Sequence, residues 1–163
     1  MATEAEQRLL EAWRGEIQAN KVYQALAARE KDPRRADILR RMGEAEVTHR
    51  ARLEQRMKEL GIAVPDPKTV PVGFWRSLQL RVAPTERILK AQEAAENDEI
   101  TVRYLKPTGD PDTDALLKEI RTEERGHRDT IRGFERVDRE APQKTAQDSD
   151  VSSHLQRIVG REK

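Results

Sequence analysis

Glu46-Val47-Thr48-His49 lies inside the run Leu39, Met42, Glu46, His49, Leu53, whose members recur in steps of three and four. Glu124-Arg125-Gly126-His127 repeats it inside Leu117, Ile120, Glu124, His127, Ile131, Phe134. That spacing puts every named side chain on one helical stripe, the stripe that packs against neighbouring helices. In both runs a glutamate and a histidine occupy positions where the pattern asks for Leu or Ile. An ionised carboxylate buried without a partner costs several kcal/mol or more, so something must neutralise it. Glu and His one turn apart can both point at one cation, and a metal ion is the most economical neutraliser.

The first helix carries the same signature. Leu9, Trp13, Glu16, Asn20, Tyr23 and Ala27 form its inward stripe, and Glu16 interrupts the apolar pattern as Glu46 does. The periodicity predicts this helix over about Thr3 to Glu30. Asp32 followed by Pro33 reads as an N-cap and first-turn proline, so the turn is short and the second helix returns antiparallel, to about Leu60 with Gly61 as its stop. A third long helix is expected from about Thr85 to Leu105, with Ile88, Leu89, Gln92, Ala95, Glu96, Glu99 and Val102 inward. A fourth begins near Asp112, beside Pro111, and reaches Phe134 or Val137. The two helical pairs read as an internal duplication.

Gly61 to Pro84 differs in kind. Pro65, Pro67, Pro71 and Gly73 break it up, and Phe74 to Val82 makes a short amphipathic helix. Helices of this length are about 40 Å long at about 1.5 Å per residue. Extended chain covers about 3.3 Å per residue, so the stretch is long enough to cross the bundle. The third long helix would then run parallel to the second; a return to the near end is also compatible with the length. From Arg136 to Asp150 the chain is polar and reads as a linker, followed by a short helix, Val151 to Val159, that carries His154 as a surface histidine. The expected division is a four-helix bundle over 1–135 and a polar linker with a short C-terminal helix over 136–163.

Composition sets the limits. Charged residues make up 37% of the 163 and aromatic ones 4%, a balance that favours charged-surface helices over sheets. The formal net charge of +1 gives no electrostatic case for nucleic acid. There is no cysteine, which rules out disulfides, thiolate zinc sites and catalytic thiols. No signal-peptide stretch or membrane span is read in the chain, and the expectation is a soluble, cytoplasmic protein.

These residues resemble the rubrerythrin-like branch of the ferritin-like family. Gly15-Glu16-Ile17-Gln18-Ala19-Asn20-Lys21-Val22-Tyr23 looks like that branch's first ligand helix, and Glu46/His49 and Glu124/His127 match its two Glu-x-x-His helices. Glu96-Asn97-Asp98-Glu99, followed by Tyr104, looks like its extra carboxylate, which implies seven ligands: Glu16, Glu46, His49, Glu96, Glu99, Glu124 and His127. The resemblance covers roughly residues 5 to 135 and implies an all-α, ferritin-like four-helix bundle holding two Fe ions, with Mn or Zn as substitutes. Rubrerythrins also carry a four-cysteine domain; this chain has no cysteine, so electron relay through such a centre is not expected of it. The Trp13-x-x-Glu16 start, the Ala28-Arg29-Glu30-Lys31-Asp32 turn and the proline-bearing connection are similar to the ferritin-like domain fused ahead of vacuolar-iron-transporter-type membrane proteins. That likeness implies a membrane transporter part C-terminal to this segment, with the domain on the cytosolic face.

The function expected is ferrous-iron oxidation by O2 or peroxide. Glu46 and Glu124 bridge two ions in this reading, and His49 and His127 are terminal. Glu46, Glu124, Tyr23 and Tyr104 are assigned to the chemistry, the tyrosines either as hydrogen-bond partners of ligand carboxylates or as ordinary bundle tyrosines. Glu16, Glu46, Glu96, Glu99 and Glu124 bring five negative charges against the four positive of two divalent ions, so the centre nears neutrality only when loaded. Non-catalytic iron binding or delivery to a membrane transporter is the rival, a hydroxylase with an apolar pocket beside the metals is a third reading, and a plain interaction bundle a fourth. Glu44, Glu54 and Glu123 fall off the stripe and read as solvated face, as does Glu93. Gly43 and Gly126, within a turn of ligands, read as close helix approach, substrate access or drift. Leu10, Phe74, Trp75, Leu78 and Leu80 lie outside the ligand stripe and point to a homodimer.

Overall fold

A computed structural model describes residues 2–102 and 107–140, with side chains described throughout except at 74, 75, 93, 95–102, 127, 128 and 130–140. The described residues are all-α: α1 (Glu4–Arg29), α2 (Pro33–Glu59), a 3-10 turn (Pro67–Thr69), α3 (Phe74–Val82), α4 (Thr85–Val102) and α5 (Pro111–Glu140). No strand occurs among them.

Local chemistry sets the ends. The Thr3 hydroxyl accepts from Glu6 N at 3.1 Å and starts α1, with Glu4 and Glu6 placed favourably at the positive end of the helix dipole. Glu30 folds its carboxylate over the turn, accepting from Lys31 N at 2.9 Å, while Asp32 accepts from Arg34 N at 2.8 Å and Pro33 opens α2. Glu30 to Asp32 is the whole connection, so α1 and α2 form an antiparallel hairpin. Gly61, at φ +70°, ends α2. Its N–H bonds to Lys58 O at 3.0 Å and that of Ile62 to Met57 O at 2.8 Å, and Ile62 packs on the cluster containing Met57. This is the Schellman arrangement, which requires a left-handed residue that glycine adopts without strain.

The chain then travels the length of α1. Lys21 Nζ donates to Val70 O at 2.6 Å, Gln18 Nε2 to Pro71 O at 3.3 Å, and the Arg29 guanidinium to Ala83 O. Arg35, at the start of α2, pairs with Glu86 at 2.5 Å, so α4 begins at the hairpin-turn end and runs parallel to α2. The connection therefore crosses the bundle. α5 starts at the opposite end, where Arg56 Nη2 donates to Asp110 Oδ2 at 2.6 Å and Arg56 Nε to Thr113 Oγ1 at 3.1 Å. Further along, Arg52 pairs with Glu119 and Glu123, at 2.5 and 2.9 Å, so α5 is antiparallel to α2.

Two apolar clusters fill the unit Met1–Ile131. One gathers Val22, Tyr23, Leu26, Leu39 and Met42 of the hairpin with Leu80, Ile88 and Leu89. The other gathers Leu9, Trp13, Ile17, Leu53 and Met57 with Val70, Leu117 and Ile120. Leu80 is 7% exposed and so is covered within its own chain, a correction to its place in the surface expected for a second chain, whereas Leu10 is partly buried against the second cluster. The amphipathic α3 turns Leu80 into the first cluster. Leu78 and Val82 remain exposed, and the side chains of Phe74 and Trp75 lie outside the described residues. α5 also runs on to Glu140, past the expected end at 134–137, because no helix breaker intervenes before Pro142. The expected helix over 151–159, with His154, lies outside the described residues.

Candidate metal centre

Between the two apolar clusters the inward stripes of α1, α2 and α5 place charge. Glu16 follows Trp13 by one turn on α1, Glu46 and His49 follow Met42 on α2, and Glu124 follows Ile120 on α5. One ligand atom from each of Glu16, Glu46, His49 and Glu124 lies within 4.8 Å of all the others. Glu46 and His49 are each 1% exposed and Glu16 9%. His49 Nδ1 is the hub, 2.9 Å from Glu124 Oε1 and 3.5 Å from Oε2 of both Glu16 and Glu46.

The electrostatics follow from this crowding. Burial alone drags the His49 imidazole down, but its bonds to Glu124, Glu16 and Glu46 outweigh that and push its pKa up to about 12. Burial holds the Glu16 carboxyl well above the usual carboxylate range; His49 pulls it down, and neighbouring Glu46 and Glu124 push it further up. Among the described residues, three carboxyl groups thus face one imidazolium and crowd one another at a buried point. A divalent cation fits that donor set: it takes the place of the protons and meets oxygen and imidazole nitrogen donors of the kind that suit Fe, Mn or Zn.

The sequence reading placed Glu54 and Glu123 on a solvated face; the structure corrects Glu54, which is partly buried, while Glu123 is exposed as expected but also touches the centre. Glu54 Oε1 accepts from Trp13 Nε1 at 2.9 Å and pairs with Arg50 at 3.3 Å, which anchors the buried indole. Glu123 Oε2 lies 2.9 Å from His49 Nε2, while its other oxygen accepts from Arg52 at 2.9 Å. Burial pulls the Glu123 carboxyl up, but Arg52 and His49 bring it below its ordinary value. Both long side chains reach inward from flanking positions that periodicity counts as outside. Arg52, one turn from His49, opposite the i,i+4 pair Glu119/Glu123, was the readable signal for the second contact. Glu44 is exposed, as expected.

Tyr23 is fully buried in the cluster nearer the hairpin turn. Gly43 stands against α1: a Cβ there would meet Gln24 Nε2 at 3.1 Å and Asn20 Nδ2 at 3.4 Å, and Asn20 Nδ2 donates to Gly43 O at 2.7 Å. Close helix approach is therefore the reason for glycine at 43. Gly126 has nothing within 4 Å of its Cβ position. Glu96, Glu99 and His127 have side chains outside the described residues, Glu93 likewise, and Tyr104 lies outside them altogether. A cavity of about 400 Å³ opens against Glu16, Glu46 and Glu124, walled by apolar residues such as Ala19, Val22 and Ile120 and by Gln92, Arg76 and Arg121.

An all-α bundle with a buried Glu/His carboxylate cluster is the class to which ferritin-like di-iron proteins belong. The chain is a member of the rubrerythrin family, whose family model matches residues 7–135. Neither a curated protein nor a solved structure matches it in the comparisons made. No helix among the described residues is long and apolar enough to cross a membrane.

Proposed function

We propose that the chain binds ferrous iron at this centre and oxidises it with O2 or peroxide. The observation that carries the reading is the convergence of Glu16, Glu46, His49 and Glu124 within 4.8 Å at a buried point. In the full proposal Glu96, Glu99 and His127 complete a two-ion set, Glu46 and Glu124 are shared between the ions, and Tyr23 and Tyr104 bond to ligand carboxylates. Iron is the substrate: each ferrous ion gives up one electron, and O2 taking two electrons and two protons leaves as hydrogen peroxide. The chain's own part is to hold the ions and to give up protons. Entry of a cation displaces the proton of His49 Nδ1 and any held by Glu16, so loading releases acid. The cavity against Glu16, Glu46 and Glu124 supports access by a small oxidant.

Anaerobic loading with ferrous iron, followed by oxygen with absorbance and O2 uptake recorded together, tests this. Ferric absorbance growing with O2 consumption is the expected result. Iron that binds but consumes no oxygen favours the delivery role, in which the domain serves a membrane transporter of the vacuolar-iron-transporter type. A cytoplasmic or cytosol-facing site and a homodimer belong to the same proposal. Light scattering at high micromolar concentration that returns a monomer mass removes the dimer.

A further inference from the structure

The cavity beside the centre offers more than the passage of a small oxidant requires. Its volume is about 400 Å³, within the range of sites that enclose an organic molecule. Its walls are of two kinds. Ala12, Ala19 and Val22 of α1 and Leu117 and Ile120 of α5 give it an aliphatic lining, while Arg76 of α3 and Arg121 of α5 bring two guanidiniums to the same space. Arg76 is held by Gln92 of α4, whose Oε1 accepts from its Nη2 at 2.9 Å. Arg121 follows Ile120 directly, and its Nε is buried with no hydrogen-bond partner among the described residues. A guanidinium N–H out of water is an unmet donor, and a carboxylate is the ligand that matches its fork.

Gly15 points the same way. It lies in the middle of α1 and lines the cavity, at a place where alanine is the better helix former. A Cβ there meets nothing within 4 Å, so the close helix approach that explains Gly43 does not apply, and the missing side chain leaves the space clear. Charge narrows the ligand further. Glu16, Glu46 and Glu124 line the same cavity, so a dianion such as phosphate meets carboxylates as well as arginines, and a bare anion leaves the aliphatic wall uncovered. We infer that the cavity is a binding site for an aliphatic monocarboxylate, its head group paired with Arg121, with Arg76 as the second cation of the site, and its chain covering Ala12, Ala19, Val22 and Leu117. This goes beyond the reading of the centre as an iron site and is tested with or without metal.

Octanoate is the probe, titrated calorimetrically into the full chain, metal-free and after addition of zinc. It should bind once per chain with a negative heat-capacity change, as burial of an apolar chain requires, whereas acetate and octylammonium, each lacking half of the match, should not bind. Arg121→Gln should weaken octanoate about 10–100-fold, the worth of a hydrogen bond between charged groups, and Arg121→Lys, which keeps the charge without the fork, should fall between. Gly15→Leu should abolish binding by filling the space, with a melting temperature no lower than wild type as the check that it folds; if it melts lower, the Arg121 variants decide. Arg125→Gln, exposed on the same helix and outside the lining, should leave the affinity unchanged. Octanoate affinity that survives Arg121→Gln overturns the inference, as does phosphate binding as tightly as octanoate. Binding that needs zinc and ignores Arg121 puts the head group on the metal and overturns it too. No heat and no rise in melting temperature with octanoate in either form also overturns it, while the iron reading, tested by anaerobic loading, stands or falls separately.

Discussion

The same Glu-x-x-His spacing is set into two different surroundings. On α2, Glu46 and His49 are sealed at 1% exposure, and Gly43, one turn earlier, lets α1 come close enough for Asn20 to bond the α2 backbone. On α5, Glu124 keeps 13% of its side chain exposed and Gly126 faces open space. The α2 motif is held by backbone approach and apolar packing. The α5 motif is drawn in by charge as well, through Arg52 to Glu119 and Glu123 and through Arg56 to Asp110. The hairpin thus supplies the more deeply buried half of the centre, and α5 closes it with ion pairs that respond to charge and to pH.

The largest expected effect tests whether the two glutamates are equivalent despite this. Wild type should hold two first-row ions per chain, and Glu46→Ala or Glu124→Ala should each destroy the pair, since a shared carboxylate serves both ions. Elemental analysis that returns unchanged stoichiometry for both variants breaks the bridging assignment. Next, Glu16, Glu46 and Glu124 crowd one another at the centre of the metal-free protein, so Glu46→Gln combined with Glu124→Gln should raise its melting temperature at neutral pH by a few degrees, about 1 kcal/mol corresponding to about 2–4 °C at this size. A lower melt would mean that these glutamates are ordinary structural partners. The glycines sharpen the contrast at smaller scale. Gly126→Ala should stabilise by up to ~1 kcal/mol from helix propensity alone, whereas Gly43→Ala should gain less because the Gln24 side chain must give way. Urea unfolding that ranks them in reverse would sink the difference in packing. Smallest is the Arg56–Asp110 clasp at the start of α5. Arg56 and Thr113 hold the Asp110 carboxyl below its ordinary value. A depressed folded pKa adds stability above the unfolded value, near 3.8, and that stability is lost as pH falls through the folded value. Arg56→Ala should therefore unfold at a slightly higher pH on acid titration, and an unchanged acid midpoint would show that the clasp is idle.

Much of this was readable in the chain. The steps of three and four marked Leu9, Trp13, Glu16 and Tyr23 on α1 and Leu39, Met42, Glu46, His49 and Leu53 on α2, and all are buried. Asp32-Pro33 and Gly61 marked the ends of α2, since a proline and a left-handed glycine each permit few backbone states. The direction of the long connection was not readable, because length bounds reach and not destination; Arg29 and Arg35, which grip its far end, decide it. The inward contacts of Glu54 and Glu123 were missed for a related reason. Periodicity reports where a Cβ points, whereas a glutamate's carboxylate can swing back over the edge of the stripe to an indole or imidazole. Leu80 was misplaced because apolarity says that a residue is covered without saying by which segment.

The hairpin has a kinetic consequence. Glu16, Glu46 and His49 belong to two helices joined by Glu30 to Asp32, a closure that costs little chain entropy, while 74 residues separate His49 from Glu123. Local contacts form early in folding and distant ones late, so three of the four clustered donors should assemble in the transition state before α5 arrives. Truncations at Leu39 or Leu26 should then slow refolding nearly in proportion to the stability they remove, whereas Leu117→Ala should chiefly speed unfolding. The opposite pattern in stopped-flow rates would mean that α5 docks first and the hairpin forms around it.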